Sequence, residues 1–178
     1  MTFRGHIILA TSVSLPFINA IFPYPSAQFY YAIAGVILGA LLPDIDEPGS
    51  YIGRKIPIIS FLISFFVKHR GFTHTIFFAL IPILFAFLVP YCYFCYNSFY
   101  NFNIFYLQIF LFFIGVGCIL HDIGDMLTKS CVKFFYPISN KTICIAPKSL
   151  RFRTGSIEEN IVVLILFVLL TTEISLIV

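Results

Sequence analysis

The chain has 178 residues, of which 60% are hydrophobic and 11% charged, and its mean hydropathy is +0.97. A soluble globular domain carries about 25% charged residues, so the composition places this protein in the membrane class and leaves no room for a separate soluble domain. The formal net charge of +3 follows from topology and does not point to nucleic acid.

In chain order, MTFRGHIILATSVSLPF has the weakly basic start and apolar stretch of a signal peptide, but no small-x-small cleavage site follows and the segment reads as retained. Residues 7–22 form the weakest spanning candidate, interrupted by Asn19, Pro16 and several Ser and Thr. Residues 27–43, 75–96, 104–120 and 160–178 approach the length of about 20 apolar residues that a spanning helix needs. Residues 56–67 are apolar but only a dozen long, which suits a re-entrant or interfacial helix. Ser156 and Glu159, ahead of the last apolar run, form a capping-box pattern that opens the final helix. The expected fold is an all-α, polytopic bundle of four or five transmembrane helices. One membrane-embedded domain spans 1–178, with a helical layer on the cytoplasmic face from 44–74 and 121–158.

All eleven Lys and Arg fall at position 4, between 54 and 70, or between 129 and 153. The connecting segments 22–26 and 97–103 carry no charge. The positive-inside rule therefore puts 1–6, 44–74 and 121–158 in the cytoplasm, and five crossings satisfy that assignment. The cysteines at 92, 95, 118, 131 and 144 form no even disulfide framework. Cys92-x-x-Cys95 lies inside an apolar helix with no second pair to complete a zinc site, and reads as packing.

The acids and histidines are unevenly placed. Setting aside Glu158, Glu159 and Glu173, every one falls at an expected inner helix end. His6 precedes the first helix; Asp44, Asp46 and Glu47 follow the second; His69 and His74 precede the third; His121, Asp122 and Asp125 follow the fourth. Pro43 ends a helix, so Asp44 and Asp46 sit in extended or turn-like chain facing one point. Two carboxylates so placed repel unless a cation lies between them. His121 and Asp125 are i and i+4, neighbours on one helix face, whereas Asp122 points about 100° away and serves at most behind the ligands. Gly71 breaks the chain between His69 and His74, and Thr73 is the expected cap of the next helix. Each piece alone is an ordinary polar residue near a helix end, but ionisable groups at membrane depth are costly and tend to be functional. Together His6, Asp44, Asp46, His69, His74, His121 and Asp125 form a candidate metal site. Imidazole and carboxylate ligands suit zinc, manganese or iron, and seven ligands suit two or three ions better than one. Such centres activate water and clamp ester or phosphate oxygens. Asp46 and Asp125 are the candidate catalytic bases, and Arg54 and Arg70 the candidates for binding a substrate phosphate.

The segments GALLPDIDEPGSYIGRK, VKHRGFTHTIFF and HDIGDMLTKSCVKFFYP, with FRTGSIEE, resemble the YdjM family of inner-membrane metal-dependent hydrolases. That family is built around an early His, a PDIDxPxS segment, an HRxxTHS segment and an HxxxDxLTxxGVxxxxP segment. The resemblance covers nearly the whole chain in order. It implies ligand roles for His6, Asp44, Asp46, His69, His74, His121 and Asp125. Glu47 stands where His is common, Thr75 where Ser is common, and Lys129 and Cys131 replace Pro and Gly. The short HxxGD portion is also similar to a segment of zinc-dependent phospholipase C, an all-helical enzyme with trinuclear zinc. The expected function is a metal-dependent hydrolase in the bacterial inner membrane, multi-pass, its site facing the cytoplasm and acting on an ester or phosphoester, with a lipid-borne one as a candidate. The alternatives are a metal-ion or small-solute transporter and a non-catalytic membrane protein with a structural metal.

Overall fold

The computed structural model describes residues 1–66, 71–97 and 102–178, and the side chains of all of these except 92–97 and 102–103. It is all-helical in its regular structure. The described helices are α1 (Phe3–Ile21), α2 (Ala27–Gly39), α3 (Tyr51–Lys55), α4 (Pro57–Phe66), α5 (Ile76–Asn97), α6 (Phe102–Met126) and α7 (Ile157–Ile177). By length and composition, Ala27–Asp46, Ile104–Met126 and Ile157–Ile177 are long and apolar enough to cross a membrane. Sequence placed His121, Asp122 and Asp125 after a helix ending near 120; α6 instead continues through them to Met126.

The polar residues that weaken α1 as an apolar run are absorbed locally. Thr11 Oγ1 donates to the Ile7 carbonyl at 2.7 Å and Ser14 Oγ to Ala10 at 2.7 Å, returning to the preceding turn. Ser12 Oγ donates to the Leu166 carbonyl at 3.0 Å and ties α1 to α7. Pro16 removes one rung of the helix ladder without ending the helix.

Small residues let α2 and α6 touch. A Cβ on Gly39 would sit 2.1 Å from the Ile114 carbonyl oxygen, and one on Gly117 would sit 2.4 Å from that of Val36. Where lipid replaces water, such close backbone approach is a main source of helix association. Gly115 gives α5 the same access, since a Cβ there would lie 2.7 Å from the Ala79 carbonyl oxygen.

Past α2 the chain forms a 3₁₀ turn, Leu42–Asp46, with Pro43 in its first turn, rather than an extended strand. A second 3₁₀ turn, Phe72–His74, leads into α5. The cap of α5 is Thr75 and not Thr73: Thr75 Oγ1 accepts from Phe78 N at 3.3 Å. The face layer is helical in α3 and α4, but between α6 and α7 it is a turn-rich hairpin. That hairpin is held by a Val132–Ile143 bridge, a Thr128–Phe152 bridge and a Cys131–Cys144 disulfide. Sequence reasoning did not anticipate the disulfide, because a sequence separation of 13 gives no sign that the two cysteines meet. The hairpin touches both neighbouring helix ends: Ile145 N donates to Met126 O at 3.1 Å and Ile76 N to Phe134 O at 2.9 Å. Ser156 Oγ accepts from Glu159 N at 3.4 Å, as a cap should. The Glu159 carboxylate, however, does not close the box onto Ser156. It is buried and accepts from Thr2 N and Gly155 N, both at 2.6 Å, pinning the start of α1 to the start of α7.

Candidate metal centre

Four helix ends meet on one side of the bundle. His6 comes from the first turns of α1, Asp44 and Asp46 from the turn after α2, His74 from the turn before α5, and His121, Asp122 and Asp125 from the end of α6. His6, Asp46, His74, His121, Asp122 and Asp125 are each at most 1% exposed. A layer of charge this dry needs partners.

His74 stands in the middle. Its Nε2 lies 3.8 Å from Asp44 Oδ1 and 3.9 Å from Asp46 Oδ1, and its Nδ1 lies 3.6 Å from Asp122 Oδ1 and 3.9 Å from Asp125 Oδ2. Burial alone would push the His74 imidazole below its ordinary pKa, but Asp122, Asp125 and Asp44 outweigh it and hold the pKa above that value. His121 Nε2 is 3.7 Å from Asp44 Oδ1, and the His121 ring stacks on His6 at 3.7 Å between centroids. His6 Nε2 is 3.4 Å from Asp125 Oδ1, which also pairs with the Met1 α-amino group.

Two sets of ligand-type atoms arise, each lying within 4.8 Å of one another: His6, His121 and Asp125, all buried, and Asp44, His74 and His121. These buried His/Asp groups could hold a metal ion. The donor chemistry fits a divalent ion. His121 Nδ1 donates to the Ala40 carbonyl at 2.7 Å, which fixes the tautomer and leaves the Nε2 lone pair aimed at the cluster with no hydrogen bond. Both Asp122 oxygens and His6 Nδ1 are likewise buried without a hydrogen bond. A metal-binding imidazole commonly gives its other N–H to a carbonyl or carboxylate in this way.

The structure thus gathers His6, Asp44, Asp46, His74, His121 and Asp125. His69 and Arg70 lie outside the described residues, as do the Cys92 and Cys95 side chains. Arg54 is exposed in the last turn of α3. Asp122 takes the place behind the ligands that its position on α6 suggests, facing His74, which arrives from another element. One participant escaped the sequence reading: Thr73, expected as a helix cap, donates from Oγ1 to Asp46 Oδ2 at 2.6 Å and holds that carboxylate in place. The only local signal for Thr73 was adjacency to a candidate ligand.

The model of one family, described as the YdjM inner membrane protein, matches residues 1–177. The chain belongs to the YdjM inner membrane protein family. It is 36% identical over 78 residues to the inner membrane protein YdjM of Escherichia coli (strain K12), covering 43% of this chain and 40% of that protein. The same identity and coverage hold for the protein of that name from Shigella flexneri. The uncharacterized protein YvsG of Bacillus subtilis (strain 168) is 44% identical over 62 residues, 32% of this chain and 39% of that protein. The aligned regions thus span about 40% of the length of these curated relatives. No solved structure matches. Family membership and apolar helices together make this a membrane protein.

Proposed function

We propose that this protein is a membrane-bound metal-dependent hydrolase that cleaves an ester or phosphoester at the cytoplasmic membrane face. The observation that carries the reading is the pair of ligand sets joined at His121, one fully buried and one reaching the surface at Asp44. Their convergence on one end of the bundle favours hydrolysis over transport, because transport sites sit near the bilayer midplane within broken helices. The cytoplasmic orientation rests on the positions of all eleven Lys and Arg.

In this reading His6, His121 and Asp125 hold one divalent ion, zinc by donor type with manganese or iron as the other candidates. Asp44 and His74, joined by Asp46, hold a second. Ions so bound supply Lewis acidity and activate water. The protein's own groups do the rest. His121 is locked in one tautomer by Ala40, and Asp46 is fixed by the Thr73 hydroxyl. Asp122, 3.6 Å from His74 Nδ1, supplies negative charge on the far side of that ring. Asp44, with its side chain 23% exposed, is where a substrate meets the cluster. Asp46 and Asp125 are the candidate proton acceptors, both packed away from bulk water.

Asp46→Asn keeps size and polarity but removes the charge that the site needs. Purified wild-type protein loaded with zinc or manganese should hydrolyse p-nitrophenyl ester or phosphodiester probes, and Asp46→Asn should not, with its melting temperature nearly unchanged. Equal turnover by the two proteins would overturn the assignment.

A further inference from the structure

α4 is ten residues long, PIISFLISFF, and carries no charge. It nevertheless exposes Ile58 by 77%, Phe61 by 65%, Leu62 by 54% and Phe65 by 78%. At 1.5 Å per residue it is about 15 Å long, half of a hydrocarbon core of about 30 Å. A helix of that length and polarity fits within one leaflet. Its inward residue, Ser60, is fully buried against α3, where a Cβ on Gly53 would lie 2.9 Å from Ser60 Oγ.

α3, immediately before it, ends in exposed Arg54 and Lys55. Lys55 Nζ lies 6.0 Å over the Tyr51 ring, which stacks on Phe3 of α1 at 4.4 Å. Both α3 and α4 pack on the turn that carries Asp44, and Ser50 Oγ donates to the Asp44 carbonyl at 2.7 Å. Asp44 is also the candidate ligand that reaches the surface: its side chain is 23% exposed, against 2% or less for Asp46, His74, His121 and Asp125. The nearby countercharge, Glu47, is turned toward Gly49 N at 3.2 Å.

Outward from Asp44, then, the surface is first cationic and after that apolar and uncharged over the length of α4. The geometry points to α3 and α4 as a docking surface for an anionic phospholipid, with its headgroup phosphate at Arg54 and Lys55 and an acyl chain along Ile58, Phe61, Leu62 and Phe65. Charge complementarity selects the headgroup, and the leaflet-sized apolar helix selects a lipid over a soluble phosphate. That this lipid is the substrate rests on the hydrolase reading; its docking does not.

The sequence contains no Trp, so Phe61→Trp places a single indole on α4. In phosphatidylcholine vesicles containing chelator, a minor fraction of brominated phosphatidylglycerol should quench that indole several-fold more than the same fraction of brominated phosphatidylcholine. The preference should vanish in an Arg54→Gln, Lys55→Gln background and survive millimolar inorganic phosphate. Quenching by neither lipid would overturn the leaflet placement, and equal quenching by both would overturn the headgroup selectivity. Loss of the preference to inorganic phosphate would reassign the cations to a soluble anion. Phe65→Trp, one turn on, repeats the measurement should the first variant fail to fold. No turnover is read, so a protein inactive on every ester that still shows the preference would sink the hydrolase reading and leave the docking surface standing.

Discussion

The Ala40 carbonyl and His121 Nδ1 lie 2.7 Å apart, joining the end of α2 to the end of α6 that carries the His/Asp cluster. A carbonyl can only accept, so Nδ1 carries the proton and Nε2 faces the cluster. The bond exists because Gly39 and Gly117 allow the two helices to touch one turn away. Gly39→Val should therefore act on the site without touching it. We expect a loss of about 1–3 kcal/mol from overpacking and a reduced metal content. Thermal melts in detergent and elemental mass spectrometry of the same sample check both. Full metal content in a destabilised protein would uncouple helix contact from the site.

Thr73 supplies the hydroxyl that fixes Asp46. Thr73→Val keeps the shape and removes the donor. Loss of such a partner behind a ligand costs about 10–100-fold in metal affinity. Competition against a chromophoric chelator should show a drop of that size, while Thr171→Val, an exposed hydroxyl on α7, should show none.

The pKa of His74 is raised above its ordinary value in the metal-free protein: burial lowers it, and Asp122, Asp125 and Asp44 more than reverse that. A raised folded pKa means that the imidazolium stabilises the fold fully below the unfolded value of about 6.5, and that this contribution is lost as pH rises through the folded pKa. Metal-free wild type should therefore exceed metal-free His74→Asn in melting temperature most at low pH, with the gap narrowing as the pH is raised. Metal binding must displace the same proton, so uptake should strengthen over that same rise. A gap that widens with pH would show that the carboxylates do not hold the proton on His74.

Cys131 and Cys144 close a loop over a sequence separation of 13 whose hairpin bonds to both Met126 and Ile76. A cross-link over a loop of that size contributes about 3 kcal/mol. The Cys131→Ser, Cys144→Ser variant should melt lower by a corresponding amount and retain metal less well. Compartment and charge pull in opposite directions here. Disulfides persist in oxidising compartments, whereas the proposed orientation, drawn from the positions of the basic residues, has this face in the cytoplasm. With a cytoplasmic face, the pair should be a dithiol in growing cells, blocked by a permeant maleimide, and should close on purification in air. Resistance to maleimide until a reductant is added would turn the face outward and overturn the orientation.

The membrane class, the apolar helices and most of the site were legible in the chain because each rests on local information. Hydropathy over a window of about 20 residues marks a span, and in so apolar a chain the few histidines and acids could only stand out. His6, Asp44, Asp46, His74, His121 and Asp125 were found by type and by their places at helix ends, and the structure brings them together. What the sequence could not decide is how separate segments meet. The part played by Asp122 depends on His74, which arrives from a different helix end nearly fifty residues earlier in the chain. The lock on His121 depends on a backbone carbonyl, and every residue type has one. The pairing of Cys131 with Cys144 and the turn of Glu159 toward Thr2 depend on how the chain folds back on itself. Residue identity fixes which chemistry is available and local periodicity fixes where helices run. The distances between groups far apart in sequence are set by packing, where the backbone approach that Gly39 and Gly117 permit decides which polar groups end up facing one another.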